Sequence, residues 1–559
     1  MNSRLAIFLG LLIALSIRAG YFTNNERNGY NATTWDALGY YMYLPGMFIY
    51  DDVKELKWFP KVDSTYQVSG GQFYQASQLE NGDYAFKYLG GVAIMEAPFF
   101  FIGHAIAYAN DAPEDGFSWP YQYAIIFGAV FWYFVGLIYS RKVLLRYYSE
   151  SITSLTLFAV ILGTNLLQYV SVDGAMSHAF IFPLYALILW FTIRWHETPK
   201  MGYALAIGLL SGLAIISRPT ELIIIFIPLL WSLESSGKLK SKWALVKTQK
   251  LHLVAAAFGG ILGILPQLLY WKHATGSFIY DVGSKWYFLN PWWRVLVGFE
   301  KGWFIYTPMA IFMVAGLFFM KGKPFRKAVL TFCLLNIWII ISWSDWRYGA
   351  SYSTRALTQS YPVFMLGLAA IFERIGETKW RYIVLPLGIY LTAVNLFQIW
   401  QYNKTILHFD HMNFAYYKAI YLDKDPTPLD YSLLDDGIEI LKNLRTVNTH
   451  EVFLTDSILP AGRCHVQTIS SLTSNFMNVK IDLRTRKSVH GAWCFFTLYS
   501  KGKSVLKKIR LGVPGYDSNR EMHYESNFDI TNADSVVCSF ENYEATSIQN
   551  MRFTISELK

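Results

Sequence analysis

Residues 252–272 read HLVAAAFGGILGILPQLLYWK, an apolar run that meets no Lys, Arg, Asp or Glu before Lys272. About 20 predominantly apolar residues in a helix cross the hydrocarbon core of a bilayer, so this stretch is a predicted span and lipid the predicted solvent. Comparable runs lie on both sides of it. Together they predict eleven membrane helices, at about 4–22, 121–140, 152–170, 179–195, 201–217, 221–234, 252–272, 302–320, 327–343, 356–373 and 381–400. Composition agrees. Of 559 residues, 53% are hydrophobic, 17% aromatic and only 16% charged, and the mean hydropathy is +0.25, unlike the usual soluble domain. The 39 Gly and 19 Pro suit helices that pack closely or break at sites.

The net charge of +9 does not point to nucleic acid, because much of the Lys and Arg sits in short loops between apolar runs. The loops holding Arg141 to Arg146, Lys238 to Lys250, Lys321 to Lys327 and Arg374 to Arg381 carry most of it and alternate with loops that carry little. Cytoplasmic loops are the ones enriched in Lys and Arg, so the N-terminus is predicted inside and the C-terminus outside. Met1 to Arg4 followed by Leu5 to Ile17 resembles a signal peptide, but Arg18 interrupts it without a small-residue cleavage site, and a retained first helix is expected. Four cysteines, one of them Cys333 inside an apolar run, predict neither a disulfide framework nor a redox role.

One run breaks the pattern. Gly90 to Ala109 is apolar enough to span, yet a span there would reverse every later loop and place most of the basic residues outside. It is therefore predicted to be re-entrant or interfacial, which suits its Glu96, Pro98 and His104. The first outer segment then runs from about Thr23 to Pro120, long enough to be functional in its own right.

After Tyr402 the character changes. Residues 403–460 read as a linker with short helices, one of them around Ile438 to Leu444. Residues 461–559 read as strands: Met477, Val479, Ile481 and Leu483 alternate with Asn478, Lys480 and Asp482, the period of two of a half-buried strand. With Trp493 to Tyr499, Val505 to Leu511 and Ser535 to Phe540, this predicts an extracytoplasmic antiparallel sandwich of jelly-roll type. The expected fold is thus an all-α polytopic membrane domain over 1–402 followed by an all-β domain.

Trp35-Asp36-Ala37-Leu38-Gly39-Tyr40-Tyr41 follows the first span. A carboxylate there is placed to deprotonate an acceptor hydroxyl at the membrane surface; equally, Asp36 is placed to cap the helix it opens. Tyr40 and Tyr41 are candidates for substrate contact. A phosphate leaving group needs cationic partners, and Lys87, Arg218, Arg347 and Arg355 all fall on the outer side, although Lys and Arg near helix ends also snorkel. Arg218 sits at a proline break between two spans, where an unpaired charge is costly. His178, Glu96, His104 and Asp173 are further substrate-binding candidates. No spacing marks out metal ligands, and no metal or other cofactor is expected.

The layout resembles the GT-C superfamily of polyprenyl-phosphate-sugar transferases, which includes protein O-mannosyltransferases and aminoarabinose transferases. The resemblance rests on Asp36 early in a large outer segment, on Phe86-Lys87-Tyr88, and on Ala97-Pro98-Phe99-Phe100-Phe101 leading to His104. Met176-Ser177-His178-Ala179, Ser217-Arg218-Pro219-Thr220, Gly302-Trp303-Phe304-Ile305-Tyr306-Thr307-Pro308 and Asp345-Trp346-Arg347-Tyr348 running on to Arg355 and Tyr361-Pro362 extend it over roughly residues 1 to 400. It implies an inverting transfer of a sugar from a polyprenyl-phosphate donor to a glycan, lipid or protein acceptor on the outer face of a bacterial inner membrane. Asp36 is then the base, and Lys87, Arg218, Arg347 and Arg355 hold the donor phosphate. Asp36 is not flanked by a second acid, which departs from the metal-dependent oligosaccharyltransferase pattern. A lipid-linked glycan polymerase or ligase has a similar shape. A transporter would show internal repeats, and none is seen.

Overall fold

In the computed structural model, the 252–272 run lies within one helix, Lys250–Thr275. Its glycines explain how it is held. A Cβ on Gly208 of the neighbouring helix Met201–Ile215 would stand 1.9 Å from the Ala256 carbonyl oxygen, and one on Gly212 would stand 2.5 Å from that of Gly260. The two backbones touch, which only small residues allow and which is a common way for helices to associate in lipid. On its other faces Val254, Phe258, Ile261 and Leu269 are exposed, as a lipid-facing surface requires.

The structure describes residues 2–24, 32–233, 236–409, 412–436, 444–454, 457–459, 462–472, 474–485, 492–511, 520–542 and 546–559. The helix expected around Ile438 to Leu444 falls on 437–443, outside them. Packing divides the chain into two units, the first Met1–Val297, Gly302–Tyr348 and Ser353–Leu396, the second Gly298–Lys301, Gly349–Tyr352 and Phe397–Lys559.

In the first unit, six helices among the described residues are long and apolar enough to cross a membrane: Ser3–Gly20, Gly91–Ala109, Trp119–Leu144, Ser177–Glu197, Lys250–Thr275 and Arg381–Asn403, the last ending in the second unit. Five match predicted spans, and Gly91–Ala109 is the run set apart above. The other predicted spans are shorter or broken. Glu150–Leu162 stops at Gly163 and resumes as Leu166–Ser171. A 3-10 helix, Pro219–Ile225, leads into Phe226–Leu230, and Pro308 separates Trp303–Tyr306 from Met309–Gly316. Proline lacks the N–H that would continue a helix, and interrupted backbone persists at such depth only where protein satisfies it. Asn395 does so at the Gly163 break, donating to the carbonyls of Leu162 and Thr164 at 3.0 and 3.1 Å. Tyr361 donates to Asn165 there at 2.5 Å. Arg18 is buried and donates to the Val172 carbonyl at 2.9 Å, so its charge inside the first apolar run is put to structural use.

The Gly91–Ala109 helix lies antiparallel to the N-terminal half of Trp119–Leu144. Trp132 Nε1 donates to the Met95 carbonyl at 3.0 Å, and His104 Nδ1 meets the Tyr121 hydroxyl at 2.5 Å. Its first residue, Gly91, donates to the Ile216 carbonyl at the end of the Met201–Ile215 helix, at 2.8 Å.

The second unit carries a β-sandwich. One sheet has the strand order Gly462–Ser470, Ser535–Asn542, Ala492–Ser500, Lys503–Arg510; the other runs Thr446–Leu454, Thr546–Leu558, Phe476–Thr485, Arg520–Asp529, with Ser457–Leu459 pairing beside Thr546–Leu558. All pairings are antiparallel. Apart from that short strand, numbering the strands one to eight in chain order gives sheets 1-8-3-6 and 2-7-4-5, the jelly-roll arrangement. Met477, Val479, Ile481 and Leu483 point into one core with Phe496, Phe540 and Phe553, as their alternation predicts. The first strand, Thr446–Leu454, starts ahead of residue 461, so the sandwich takes in part of the expected linker. Val447 and Phe453 of that strand are exposed, which leaves its sequence without the clean alternation that reveals a strand.

Candidate active site around Asp36

Trp35 adopts a left-handed conformation with φ of 53°. Its N–H donates to the Val68 carbonyl at 3.2 Å and its carbonyl accepts from Gln75 Nε2 at 3.0 Å. The chain therefore turns sharply before the short helix Asp36–Tyr41 begins. Asp36 does not act as an N-cap, since it is the first helical residue and its carboxylate is occupied by side chains. Oδ1 accepts from Tyr74 at 2.7 Å and from Tyr88 at 2.6 Å, and Oδ2 accepts from Arg355 in an ion pair. Burial pushes this carboxyl up, but Arg355, Tyr88 and Tyr74 outweigh burial and hold it below its usual value. Asp36 is therefore ionised at neutral pH. Burial and the Asp36 charge push both tyrosines up, so both stay protonated donors.

The segment bringing Tyr88 to this point is clamped on both sides. Tyr270 accepts from the Phe86 N–H at 2.8 Å, Tyr43 donates to the Tyr88 carbonyl at 2.7 Å, and Gln267 accepts from the Gly90 N–H at 2.7 Å. Tyr270 and Gln267 come from the C-terminal end of the Lys250–Thr275 helix, so the glycine-packed pair described above supports the site. Lys87 lies inside this clamped segment, half-buried, its N–H donating to the Gln75 carbonyl at 2.9 Å. Its ammonium makes no hydrogen bond or ion pair among the described residues.

Tyr40 stands edge-on to Tyr88 with ring centroids 4.9 Å apart and shares a hydrogen bond with Ser177. Arg218 is half-buried at the proline break, and its charge acts on Tyr40, His178, Glu221 and Tyr348. Its guanidinium has no hydrogen bond or ion pair among the described residues. His178 is buried, feels the charges of Arg218, Arg355 and Asp36, and contacts Gln359 at 2.8 Å.

Asp36, Tyr40, His178, Arg218 and Arg355 thus converge, Lys87 lies on the segment that carries Tyr88, and Asp173 feels the Arg355 charge, whereas Tyr41, Glu96, His104 and Arg347 sit elsewhere. Tyr41 turns into an aromatic cluster with Phe100 and Phe117 and donates to the Gly116 carbonyl. Glu96 is fully buried, and neither carboxylate oxygen has a hydrogen-bond partner among the described residues. His104 is 40% exposed and pairs with Glu114 at 3.4 Å. Burial pushes the Asp173 carboxyl up, and Gln168 donates to it at 3.0 Å. Arg347 is itself exposed, between the buried Trp346 and Tyr348, with its guanidinium 4.7 Å from the Trp346 ring centroid. Among the described residues no group of three His, Cys, Asp or Glu is arranged to hold a metal. Sequence reading did not single out Tyr74, Tyr88, Ser177, Glu221 or Gln359. Only Tyr88 and Ser177 stood within quoted motifs, and nothing in local spacing marks a tyrosine whose partner lies 38 or 52 residues away.

No protein-family model and no curated protein matches the chain. Solved structures with a similar fold include ArnT from Cupriavidus metallidurans in the apo state, at 12% identity and a TM-score of 0.37, with 61% of this chain and 60% of that one covered. Arabinosyltransferase EmbB from Mycobacterium smegmatis matches at 10% identity and a TM-score of 0.36, covering 100% of this chain and 64% of that one. The chain thus spans less than two thirds of the length of either.

Proposed function

We propose that the chain is an integral membrane glycosyltransferase that moves a sugar from a polyprenyl-phosphate donor to an acceptor hydroxyl on the extracytoplasmic face, with inversion. The observation that carries this reading is Arg218, a half-buried guanidinium that makes no hydrogen bond or ion pair among the described residues and whose charge reaches the cluster around the Asp36–Arg355 pair. A cation in such a setting is costly unless an anion completes it, and a lipid phosphate is an anion delivered at the membrane surface. Lys87 is the second cation for it, and Arg355 the third. Arg347, itself exposed, is assigned to the headgroup's approach.

Asp36 is the general base. A carboxylate has about four acceptor sites, two on each oxygen. Tyr74 and Tyr88 fill those on Oδ1, whereas Arg355 takes one on Oδ2, so Oδ2 retains the site that receives the acceptor proton. Arg355 holds this oxygen in place and keeps it ionised. Tyr40 lines the same space.

The placement of Gly91–Ala109 supports an outer cavity. The helix packs along the N-terminal half of Trp119–Leu144, and its first residue meets the end of Met201–Ile215, the end assigned to the outside by the basic loops. Reporters after Lys559 and at Asp111 are expected outside and one at Lys240 inside; a cytoplasmic reporter at Asp111 would make Gly91–Ala109 a span. In the sandwich, Trp493 and Phe495 stack with centroids 6.4 Å apart, the kind of aromatic row on which sugar rings rest, and this sheet is assigned to the acceptor glycan.

The direct test presents the purified chain in lipid nanodiscs with a panel of polyprenyl-phosphate monosaccharides. Release of polyprenyl phosphate that depends on Asp36 is expected. Movement of the lipid-linked sugar across the bilayer without bond breaking would replace the reading with a transporter, and transfer of whole lipid-linked glycans only would replace it with a polymerase or ligase.

A further inference from the structure

A second polar chain runs from His178 into the helices. Tyr185 donates to one carboxylate oxygen of Glu221. Gln359 Nε2 donates to the other at 3.0 Å, and Thr220 makes a longer contact of 3.4 Å with that oxygen. Gln359 Oε1 lies 2.8 Å from His178 Nδ1. Glu221, Gln359 and His178 are all at most 2% exposed.

This chain has a direction. The end of Gln359 that faces Glu221 is its NH2 group, the arrangement that an ionised Glu221, which only accepts, requires. The carbonyl oxygen of Gln359 then faces the imidazole, and because it too only accepts, His178 Nδ1 carries the hydrogen. A buried ring with no carboxylate against it is neutral, which leaves the lone pair on Nε2. Nε2 has no hydrogen-bond partner among the described residues, and the ring feels Asp36, Arg218 and Arg355. An acceptor is thus held ready on a ring that feels the charges of the proposed site, and its tautomer is set from the Gln359 side.

We propose that His178 Nε2 accepts a hydrogen bond from a sugar hydroxyl, on the transferred sugar or on the acceptor, and that Glu221 and Gln359 are positioning residues that lock the Nδ1–H tautomer. The identity of this ligand rests on the transferase reading above; the tautomer does not.

The test uses the full chain in nanodiscs with 15N-labelled histidine, and the difference spectrum against His178→Asn isolates the ring. A protonated Nδ1 and a bare Nε2 are expected. Glu221→Gln lets Gln359 turn over, because an amide at 221 offers an oxygen as well as an NH2 group, so the tautomer is expected to shift toward Nε2–H. The double variant Glu221→Gln/Gln359→Glu places the carboxylate against the ring, where it holds a hydrogen on Nδ1 but also favours the charged imidazolium, so Nδ1–H is expected to return while Nε2 loses its lone pair. Turnover should fall about tenfold in Glu221→Gln, the order of one lost hydrogen bond, and stay low in the double variant. A raised KM for the donor places the hydroxyl on the transferred sugar, and a raised KM for the acceptor places it there. A parent protein with Nε2 protonated, or turnover unchanged in Glu221→Gln, overturns the proposal. A purely structural role for the chain predicts no change of tautomer in Glu221→Gln. If the parent releases no polyprenyl phosphate, the transferase reading and the sugar ligand fall together, while the spectrum still decides the tautomer.

Discussion

The two units of this chain partner their buried charge differently. In the sandwich the core is built from Met, Val, Ile, Leu and Phe, and its buried acid, Glu557, is met by Ser474 at 2.7 Å and by His450 at 3.4 Å. In the helical unit, Arg18, Glu96 and Glu221 are buried outright, the Asp36–Arg355 pair is nearly so, and Arg218 and Lys87 stand half-buried with no side-chain hydrogen bond or ion pair among the described residues. Burying an ion costs several kcal/mol even after relaxation. A fold that needed only stability would fill these positions with apolar side chains. The contrast lies in the charge gathered around Asp36, and it can be broken or sharpened by substitution.

The largest effect is expected from Asp36→Asn. Asparagine keeps the size but not the proton acceptor, so turnover should fall about a hundred- to ten-thousand-fold while the protein still inserts and binds donor. Kinetics on the purified variant that stay within about tenfold of the parent would move the base elsewhere, with Asp173 or Glu96 next in line.

Arg218→Ala and Lys87→Ala come second. Each removes a charge-assisted contact worth about 1.5–3 kcal/mol, a loss of about ten- to a hundredfold in affinity for polyprenyl phosphate in an equilibrium binding measurement. Lys87→Arg should be milder. Unchanged affinity in both alanine variants would end the phosphate assignment and leave the two cations to snorkelling.

Arg355→Gln should act on the pH profile. In the parent, Arg355 and the tyrosines keep the Asp36 carboxyl below its ordinary value, so kcat holds as the pH falls until it passes that lowered point. Without the guanidinium the carboxyl titrates higher, and the acid limb of kcat at saturating donor should move to higher pH. Tyr74 and Tyr88 remain, which limits the shift. A limb that stays in place would mean that Asp36 is not the group being read.

The smallest effect on the reaction is expected from the other side of the comparison. Phe496 is fully buried in the sandwich, and Phe496→Ala should destabilise that domain by about 3–5 kcal/mol, visible in its melting. Donor affinity should not change. A weakened donor site would show that the two units are not energetically separate.

The five continuous spans and the alternating strand Phe476–Thr485 were legible because hydropathy and period are carried by neighbouring residues. The sandwich was legible from several of its strand stretches, while Gly462–Ser470 and Arg520–Asp529 were not singled out. Breaks at Gly163 and Pro308 were harder to see, since apolar residues continue across them and the polar partners that make a break tolerable, Asn395 and Tyr361, lie far along the chain. The first strand of the sandwich was missed because its exposed Val447 and Phe453 blur the alternation.

The solvent, the helical and β halves, and a short set of charged candidates were thus determined by sequence alone, because each is a sum over local residues. Which candidates meet was decided only by the tertiary structure. Arg355 reaches Asp36 across 319 positions of sequence, and Tyr74, Tyr88, Glu221 and Gln359 have no local pattern that distinguishes them from any buried polar residue. Their roles come from hydrogen-bond partners that folding supplies, and a hydrogen bond's direction is a property of the pair rather than of either residue.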